Sequence, residues 1–230
     1  MNPIGWCDRT VNCRGGCDFG CPYCWAREQA KRQKQRCILC YLFIPHSHLE
    51  RLTQITPRQK PQRIFLDSTW DWNTYGIPLG ELEPIIAKCQ ECPQHVFQIL
   101  SKFPSGYSRF RFPANVWLGT SITREGEVYR VLELRQAANG NLCFASIEPI
   151  QEQIRHRFTR SELDWMIIGL ETGHRKEKVI PDRAWIDELL LNARQEGVPV
   201  YVKDNVVDLF GGSYDIREFP LATSGASTTR

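Results

Sequence analysis

The feature that most constrains the fold is a regular alternation of short apolar segments with longer mixed segments, which starts near residue 63. Near-continuous apolar runs of strand length are typical of parallel strands buried on both faces, and the longer segments suit helices that cover the sheet. The strand-length runs are residues 63–68, 95–101, 116–122, 142–148, 165–171 and 199–203. With a first short strand expected within residues 4–13, they predict an α/β fold, namely a partial, open (β/α) barrel of about six to seven parallel strands.

The segments between these runs carry helix signals. The clearest helix is expected at residues 182–195, where Asp182 can cap the first turn and Gly197 ends the helix. Further helices are expected at residues 25–36, 79–92 and 126–138. No break in composition divides the chain. We therefore expect residues 1–220 to form a single domain and the small, polar residues 221–230 to form a disordered tail.

The composition is that of a globular protein from a reducing compartment. Of the 230 residues, 42% are hydrophobic, and no run approaches the about 18 apolar residues of a membrane span. Ten cysteines without an export signal indicate thiols that bind metal rather than form disulfides. We therefore expect a cytoplasmic protein that does not contact a membrane. The net charge of +3 permits a nucleic-acid partner but does not argue for one.

Three cysteines stand close together in one short segment, Cys17, Cys21 and Cys24. Glycine and proline residues around them disfavour regular structure, so the backbone forms a loop that can curl around an ion or a cluster. Three thiolates leave one iron of a four-iron cluster without a protein ligand, and an open metal position is what chemistry needs. The alternative is a structural zinc loop, which usually has four ligands and often uses paired Cys-x-x-Cys spacing.

Two Cys-x-x-Cys pairs follow, Cys37 with Cys40 and Cys89 with Cys92. The two pairs can converge into one four-thiolate site, which would hold structural zinc or an auxiliary iron–sulfur cluster. In a variant of this interpretation, the first pair forms a local zinc site with His46 and His48. The simplest interpretation leaves these cysteines free near the core, because free cysteine is among the most buried residue types.

Polar side chains follow several of the predicted strands. The carboxyl ends of parallel strands are where such folds bind their ligands. Buried charges need partners or ligands, so we expect these side chains either to contact a cofactor or substrate or to form a structural ring of ion pairs. They are Ser68, Asp71, Glu148, Glu171 and Lys203.

Two stretches suit contacts with nucleic acid, and each also has a simpler explanation. Residues 103–112 interleave four aromatic side chains with Arg109 and Arg111, as in proteins that bind single strands, although such aromatics also pack a segment onto a barrel. The helix expected at residues 25–36 carries five basic residues against Glu28 alone, which suits phosphate contacts or a solvated outer face.

The motifs of the chain together resemble a known family. The cysteine loop ends in Tyr23-Cys24-Trp25-Ala26-Arg27, and its Cys-x-x-x-Cys-x-x-Cys spacing with an aromatic before the last cysteine resembles the signature of the radical S-adenosylmethionine (SAM) superfamily. The likeness continues over nearly the whole chain, at residues 43–52, 63–71, 92–102, 115–119, 148–149, 164–173 and 200–204. The chain resembles a small phage-protein-like, radical-SAM-like family of unassigned function that occurs in phages, bacteria and archaea.

This resemblance implies a [4Fe-4S] cluster on Cys17, Cys21 and Cys24, with SAM bound at the strand ends. Tyr23 and the five strand-end residues named above would then contact SAM or the substrate. The implied activity is reductive cleavage of SAM to start radical chemistry on an unidentified substrate, and the phage association suggests a nucleic acid. Such an enzyme needs a reductant or an electron-donor protein as its partner.

Two other functions also fit the sequence. The first is an iron–sulfur protein that binds nucleic acid or senses redox state without SAM chemistry. The second is a zinc protein without redox chemistry.

Overall fold

The structure of the protein, a computed structural model, describes residues 4–72, 79–173 and 175–220. The strands in these residues are β1 (Arg9–Val11), β2 (Arg14–Gly15), β3 (His46–Ser47), β4 (Arg63–Leu66), β5 (Val96–Ser101), β6 (Val116–Ser121), β7 (Cys143–Ile147), β8 (Trp165–Ile168) and β9 (Val200–Val202). Seven of them form one parallel sheet in the order β1-β4-β5-β6-β7-β8-β9, so that the spatial order follows the chain order. The sheet curls into a half-barrel, and the predicted partial, open (β/α) barrel is confirmed.

The two faces of the sheet are set by the alternation of side chains along each strand. On β8, Met166 and Ile168 face the main core, whereas Trp165 and Ile167 face a second, aromatic cluster on the concave side. Period-two alternation of this kind follows from strand geometry, and burial on both faces explains why the strands read as continuous apolar runs. The concave cluster consists of Trp6, Cys7, Phe65, Trp117, Phe144, Trp165, Ile167 and Tyr201.

The described residues contain six α-helices. In chain order they are α1 (Trp25–Ala30), α2 (Ile38–Leu42), α3 (Glu83–Glu91), α4 (Arg130–Ala137), α5 (Arg183–Glu196) and α6 (Asp204–Phe210). Short 3-10 turns lie at Lys31–Gln33, Leu49–Gln54, Leu79–Glu81, Pro104–Arg109, Glu125–Glu127 and Gly212–Tyr214. The buried side chains of α3, α4 and α5 belong to the main core, so these helices pack on the outer face of the barrel.

The helix predicted at residues 182–195 is confirmed, with the expected ends. The Asp182 carboxylate accepts a hydrogen bond from the Ala184 amide at 2.9 Å, and Gly197 ends the helix in the left-handed region at φ +67°. The helix predicted at residues 25–36 is shorter than expected, because α1 ends at Ala30 and a 3-10 turn follows. Like charges four residues apart, such as Arg27 and Lys31, disfavour its continuation.

A second, two-stranded sheet joins the cysteine loop to the segment after α2. In it β2 pairs antiparallel with β3, and Gly15 lies opposite His46. Gly16 follows in the left-handed region at φ +78°, and a Cβ atom there would lie only 2.3 Å from the carbonyl oxygen of Ile44. The chain therefore needs glycine at this position to enter the cysteine loop beside the residue 44 backbone.

Two further expectations concern the C-terminal tail and the absence of a membrane span. The tail predicted at residues 221–230 lies outside the described residues. None of the helices in the described residues has the length and apolar character that a membrane crossing requires.

Candidate functional site

A cavity of about 690 Å³ opens at the carboxyl ends of the strands, on the concave side of the half-barrel. Its floor includes the aromatic side chains Trp6 and Phe65, and its rim includes residues that follow β1, β4, β5, β7, β8 and β9. Sites for cofactors and small molecules in proteins usually measure about 300–1,000 Å³. The position and the size of this cavity are therefore those of a cofactor or substrate site.

The cysteine loop closes one side of this cavity. Cys17, Cys21 and Cys24 are half-buried and all line it. The loop is held from outside, because the guanidinium of Arg27 donates a hydrogen bond to the Cys17 carbonyl oxygen at 3.1 Å. Inside the loop, the Cys24 amide donates to the Cys21 carbonyl oxygen at 3.2 Å.

Burial raises the pKa of two thiols of the loop. The pKa of Cys17 is raised to about 11, mainly by burial and also by the nearby Asp71, Cys21 and Cys24, although the Phe19 amide opposes the shift. Burial also raises the pKa of Cys21. At neutral pH a metal ion or cluster would supply the positive charge that stabilises these sulfurs as thiolates.

The donor set fits an iron–sulfur cluster with one open position. Thiolates are the usual protein ligands of such clusters. The described residues that line the cavity include no fourth cysteine and no histidine. A closed four-ligand zinc site on this loop would have to recruit a ligand of another kind, whereas a cluster with three protein ligands needs none.

Lys102 lies beside the same loop. Its ammonium nitrogen is 5.4 Å from the ring centre of Tyr23 and 5.6 Å from that of Phe19. Burial acts to lower the pKa of Lys102, but the charges of Tyr23, Cys21 and Asp71 outweigh this effect and raise the pKa. Lys102 is therefore a permanent positive charge next to the cysteine sulfurs.

The five strand-end residues named in the sequence analysis all line this cavity. Ser68, Asp71, Glu148, Glu171 and Lys203 line it together with Tyr23. Their convergence follows from the alternation of side chains along the strands. Phe144 and Tyr201 face the concave side, and residues at two-residue intervals share a face. Ser146 and Glu148, which follow Phe144, and Lys203, which follows Tyr201, therefore also face the concave side.

Two of these acids form ion pairs. Glu148 binds the ammonium group of Lys203. Glu171 accepts two hydrogen bonds from the Arg175 guanidinium, each 2.7 Å long, and the pKa of Glu171 is lowered mainly by these bonds. Arg175 was not singled out in the sequence, because it follows the strand-length run that ends at residue 171 and no predicted helix pairs it with Glu171.

Asp71 and Ser68 are held by hydrogen bonds. The Asp71 carboxylate accepts from the Ser101 hydroxyl at 2.6 Å and from the Lys102 amide at 2.8 Å, which fixes the turn that carries Lys102. The Ser68 hydroxyl donates to the Asn12 side-chain oxygen at 3.0 Å. Asp71 therefore positions the start of the Lys102 segment.

Gly169 is a further residue that sequence analysis did not single out. A Cβ atom there would lie 2.8 Å from Lys203 Cδ and 2.9 Å from Glu148 Cδ. It stands two residues after Ile167 on β8 and so faces the concave side. The absence of a side chain at this position gives the Glu148–Lys203 pair its space.

The second set of cysteines is divided by the fold. Cys37 and Cys40 lie with His46 and His48, and the ligand atoms of these four residues are all within 4.8 Å of one another, so the group can hold a metal ion. This grouping is the one predicted as a variant, in which the first Cys-x-x-Cys pair joins the two histidines rather than the second pair. Cys89 and Cys92 are not part of the group but are buried in the main core, because the inner face of α3 packs against the sheet.

The aromatic residues of segment 103–112 pack on the barrel. Tyr107 is fully buried and its hydroxyl donates to the Gly119 carbonyl oxygen at 3.0 Å, while Phe110 and Phe112 pack against the main core. Arg109 and Arg111 are exposed. The simpler interpretation of this segment, packing, thus accounts for Tyr107, Phe110 and Phe112.

The chain was also compared with known proteins. No curated protein matches it, and no solved structure matches it. One family does match, over residues 1–207, which is most of the chain. The chain belongs to that family, described as "Protein of unknown function (DUF5131)".

Proposed function

We propose that the protein is a radical SAM-type enzyme, which holds a [4Fe-4S] cluster on Cys17, Cys21 and Cys24 and cleaves SAM reductively to begin radical chemistry on a substrate. The observation that carries this proposal is that three half-buried cysteines face a cavity at the strand ends, whose described lining offers no further cysteine or histidine. When bound, the cluster supplies an electron and an open iron position for SAM.

The Glu148–Lys203 pair is the element we assign to the amino-acid part of SAM. That part of SAM carries an amino group and a carboxylate, and an ion pair on the cavity wall presents the two complementary charges. When Glu148 binds the amino group and Lys203 the carboxylate, neither side chain is left as an unpaired charge. In contrast, Glu171 is engaged by Arg175 and serves to position that arginine.

The substrate we propose is a nucleic acid, approached from the side of α1. Arg32 lines the cavity, and Lys31, Lys34 and Arg36 beside it are exposed. Phosphates are attracted by such a group of basic residues, and the attraction weakens as salt rises. Charge reversal in the variant K31E/R32E is expected to weaken binding of single-stranded DNA and to flatten its salt dependence. The variant R109E/R111E, on a segment whose Tyr107, Phe110 and Phe112 are packed against the barrel, should do neither.

The proposal places the protein in the cytoplasm, where thiols stay reduced, and includes a reductant or electron-donor protein as its partner. The Cys/His group at Cys37 and Cys40 takes no part in the reaction and binds a separate ion.

The test is SAM cleavage with matched cysteine variants. Anaerobically reconstituted protein with dithionite should convert SAM to methionine and 5′-deoxyadenosine and should contain about four irons per chain at this site. The variant C24A should lose both, whereas C143A, which changes a buried cysteine in β7, should keep both. Equal iron content and equal cleavage in C24A would contradict the proposal.

One observation favours the second candidate, an iron–sulfur protein that binds nucleic acid or senses redox state without SAM chemistry. Glu148 and Lys203 already neutralise each other, as do Glu171 and Arg175, so these charges are stable without a ligand. Under this alternative the variant E148Q keeps nucleic-acid binding or redox sensing unchanged. Added SAM then does not protect the residues of the cavity from protease cleavage or from amide hydrogen exchange.

A further inference from the structure

The Cys/His group consists of Cys37, Cys40, His46 and His48, and each residue directs one ligand atom towards the other three. The Nε2 atom of His46 lies 3.4 Å from the Cys37 sulfur and 3.3 Å from the Cys40 sulfur. The Nε2 atom of His48 lies 3.2 Å from the Cys40 sulfur and 2.7 Å from His46 Nε2. Two sulfurs and two nitrogens thus surround one point.

The other nitrogen of each imidazole ring is already engaged by an acceptor. His46 Nδ1 lies 2.8 Å from the Ile44 carbonyl oxygen, and His48 Nδ1 lies 2.9 Å from a carboxylate oxygen of Glu50. Carbonyl and carboxylate oxygens accept hydrogen bonds and do not donate them, so in each neutral ring Nδ1 carries the proton and Nε2 offers a lone pair. Metal-binding histidines usually donate their second ring N–H to a carbonyl or a carboxylate in this way.

Two lone pairs that face each other across 2.7 Å repel, and this repulsion is relieved when both nitrogens bind one cation. The size of the group then decides which cation fits. All four ligand atoms lie within 4.8 Å of one another, so the group encloses a single ion rather than a cluster of two or four irons. Two thiolates also balance the charge of a divalent ion.

The distances agree with tetrahedral zinc. With zinc–sulfur bonds of about 2.3 Å and zinc–nitrogen bonds of about 2.0–2.1 Å, sulfur and nitrogen ligands lie about 3.5 Å apart and the two nitrogens about 3.3 Å apart. The sulfur–nitrogen separations of 3.2–3.4 Å are close to this value, and the two imidazoles need to separate by roughly half an ångström. Tetrahedral sites with two sulfurs and two nitrogens favour zinc.

We propose that Cys37, Cys40, His46 and His48 bind one structural Zn²⁺ ion, and that this ion braces the cysteine loop of the cavity. The site is closed, with four protein ligands, and none of the four residues lines the cavity. Closed four-ligand sites are structural, because they leave no position for water or substrate.

The brace follows from the contacts between the zinc ligands and the chain leading into the loop. His46 is paired with Gly15 across the β2–β3 sheet, and the His48 amide donates to the Cys13 carbonyl oxygen at 2.6 Å. On the other side Phe43 packs with Ala26 and Ala30 of α1 and with Cys17 and Cys24 of the loop. Fixing the segment from residue 37 to residue 48 thus fixes both ends of the cysteine loop.

The zinc assignment is tested in the full chain with the cluster cysteines removed. The variant C17A/C21A/C24A cannot assemble a cluster on this loop, so its metal content reports on the Cys/His group alone. One zinc per chain is expected, and X-ray absorption at the zinc edge should show two sulfur and two nitrogen neighbours at the distances above. No bound zinc, zinc with four sulfurs, or iron in its place would each overturn the assignment.

Matched variants identify the ligands. In the same background C40S should lose most of the zinc, and the variant C89A/C92A, which removes the other Cys-x-x-Cys pair, should keep it. If C40S does not fold, the X-ray absorption measurement on the unmodified group still decides the question. Zinc retained by a folded C40S variant would contradict the ligand set.

The bracing role is tested by hydrogen exchange in the C17A/C21A/C24A chain, with zinc bound and after removal by a chelator. We expect the amides of residues 14–24 to exchange on the order of tenfold faster without zinc, while those of β6, the central strand of the seven-stranded sheet, stay unchanged. Equal exchange at residues 14–24 in the two states would refute the brace.

The zinc proposal does not depend on the proposed function. A chain that binds zinc as described but forms no cluster on Cys17, Cys21 and Cys24 would overturn only the proposed function. A chain that forms the cluster and cleaves SAM without zinc would overturn only this inference.

Discussion

The substitution D67N should change how the stability of the protein depends on pH. Asp67 directly follows β4 with a positive φ of 58°, is buried, and accepts a hydrogen bond from the Arg14 amide at 2.9 Å. Burial raises the pKa of its carboxyl from 3.8 to about 7, although the backbone amides of Arg14 and Cys13 and the charges of Arg14 and Arg51 oppose the shift.

The direction of the effect follows from proton linkage. Because the pKa of Asp67 is higher in the folded chain than in the unfolded chain, its favourable contribution is complete below the unfolded pKa of 3.8 and is lost as pH rises through about 7. From about pH 5.5 to about pH 8 the loss from this one carboxyl is about 2 kcal/mol. Asparagine does not titrate and can still accept the Arg14 amide hydrogen through its side-chain oxygen.

The assay is denaturant unfolding under anaerobic, reducing conditions, followed by tryptophan fluorescence at several pH values. The free energy of unfolding of D67N, taken relative to the unsubstituted chain, should increase by about 2 kcal/mol between about pH 5.5 and about pH 8. Parallel pH curves for the two proteins would refute the reasoning.

The variant D8N is the control, because its effect has the opposite sign. Burial acts to raise the pKa of Asp8, but the hydrogen bonds and charge of Arg63 outweigh it and lower that pKa. Asp8 therefore contributes stability above its unfolded pKa that is lost as pH falls, and D8N should weaken the protein at neutral pH relative to acid pH.

Three further predictions concern positions where the packing leaves no room for change. The variant Y107F removes the buried hydrogen bond to the Gly119 carbonyl and leaves that oxygen without its side-chain donor, so the free energy of unfolding should fall by about 1–3 kcal/mol; an unchanged midpoint in urea would contradict this. In G169A the new methyl group meets Lys203 and Glu148, so SAM binding measured by calorimetry should weaken at least tenfold while G126A, with open space around it, should bind normally. In G16A the methyl group would collide with the Ile44 carbonyl oxygen in a backbone conformation that alanine disfavours, so both iron and zinc content should fall, and full loading with both metals would be inconsistent with the packing described.

Much of the fold could be predicted because its signals are local. The apolar runs coincide with β4 to β9, since parallel strands buried on both faces leave a continuous apolar trace in the sequence. The caps of α5 are equally local, since Asp182 and Gly197 act on the backbone next to them. By contrast, β2 and β3 are two residues each and carry no periodic signal, so their pairing depends on contacts that the sequence does not display.

Part of the candidate site could be predicted, because the carboxyl ends of parallel strands lie at the same edge of the sheet. Glu148 and Lys203 could be assigned to the cavity from their strands, but their pairing depends on the space left by Gly169. The two Cys-x-x-Cys pairs have identical spacing, and only the fold distinguishes them: Cys89 points from α3 into the core, whereas Cys37 and Cys40 stand beside two histidines. Spacing alone does not report which way a helix faces.

Electron paramagnetic resonance tests the central claim most directly. The full chain is reconstituted anaerobically with iron and sulfide, reduced with dithionite and recorded with and without SAM, with C24A as the matched control. Our account predicts the signal of a reduced four-iron cluster that changes shape when SAM is added and that is absent from C24A. A cluster signal that does not respond to excess SAM, or the absence of any cluster in the unsubstituted chain, would contradict it.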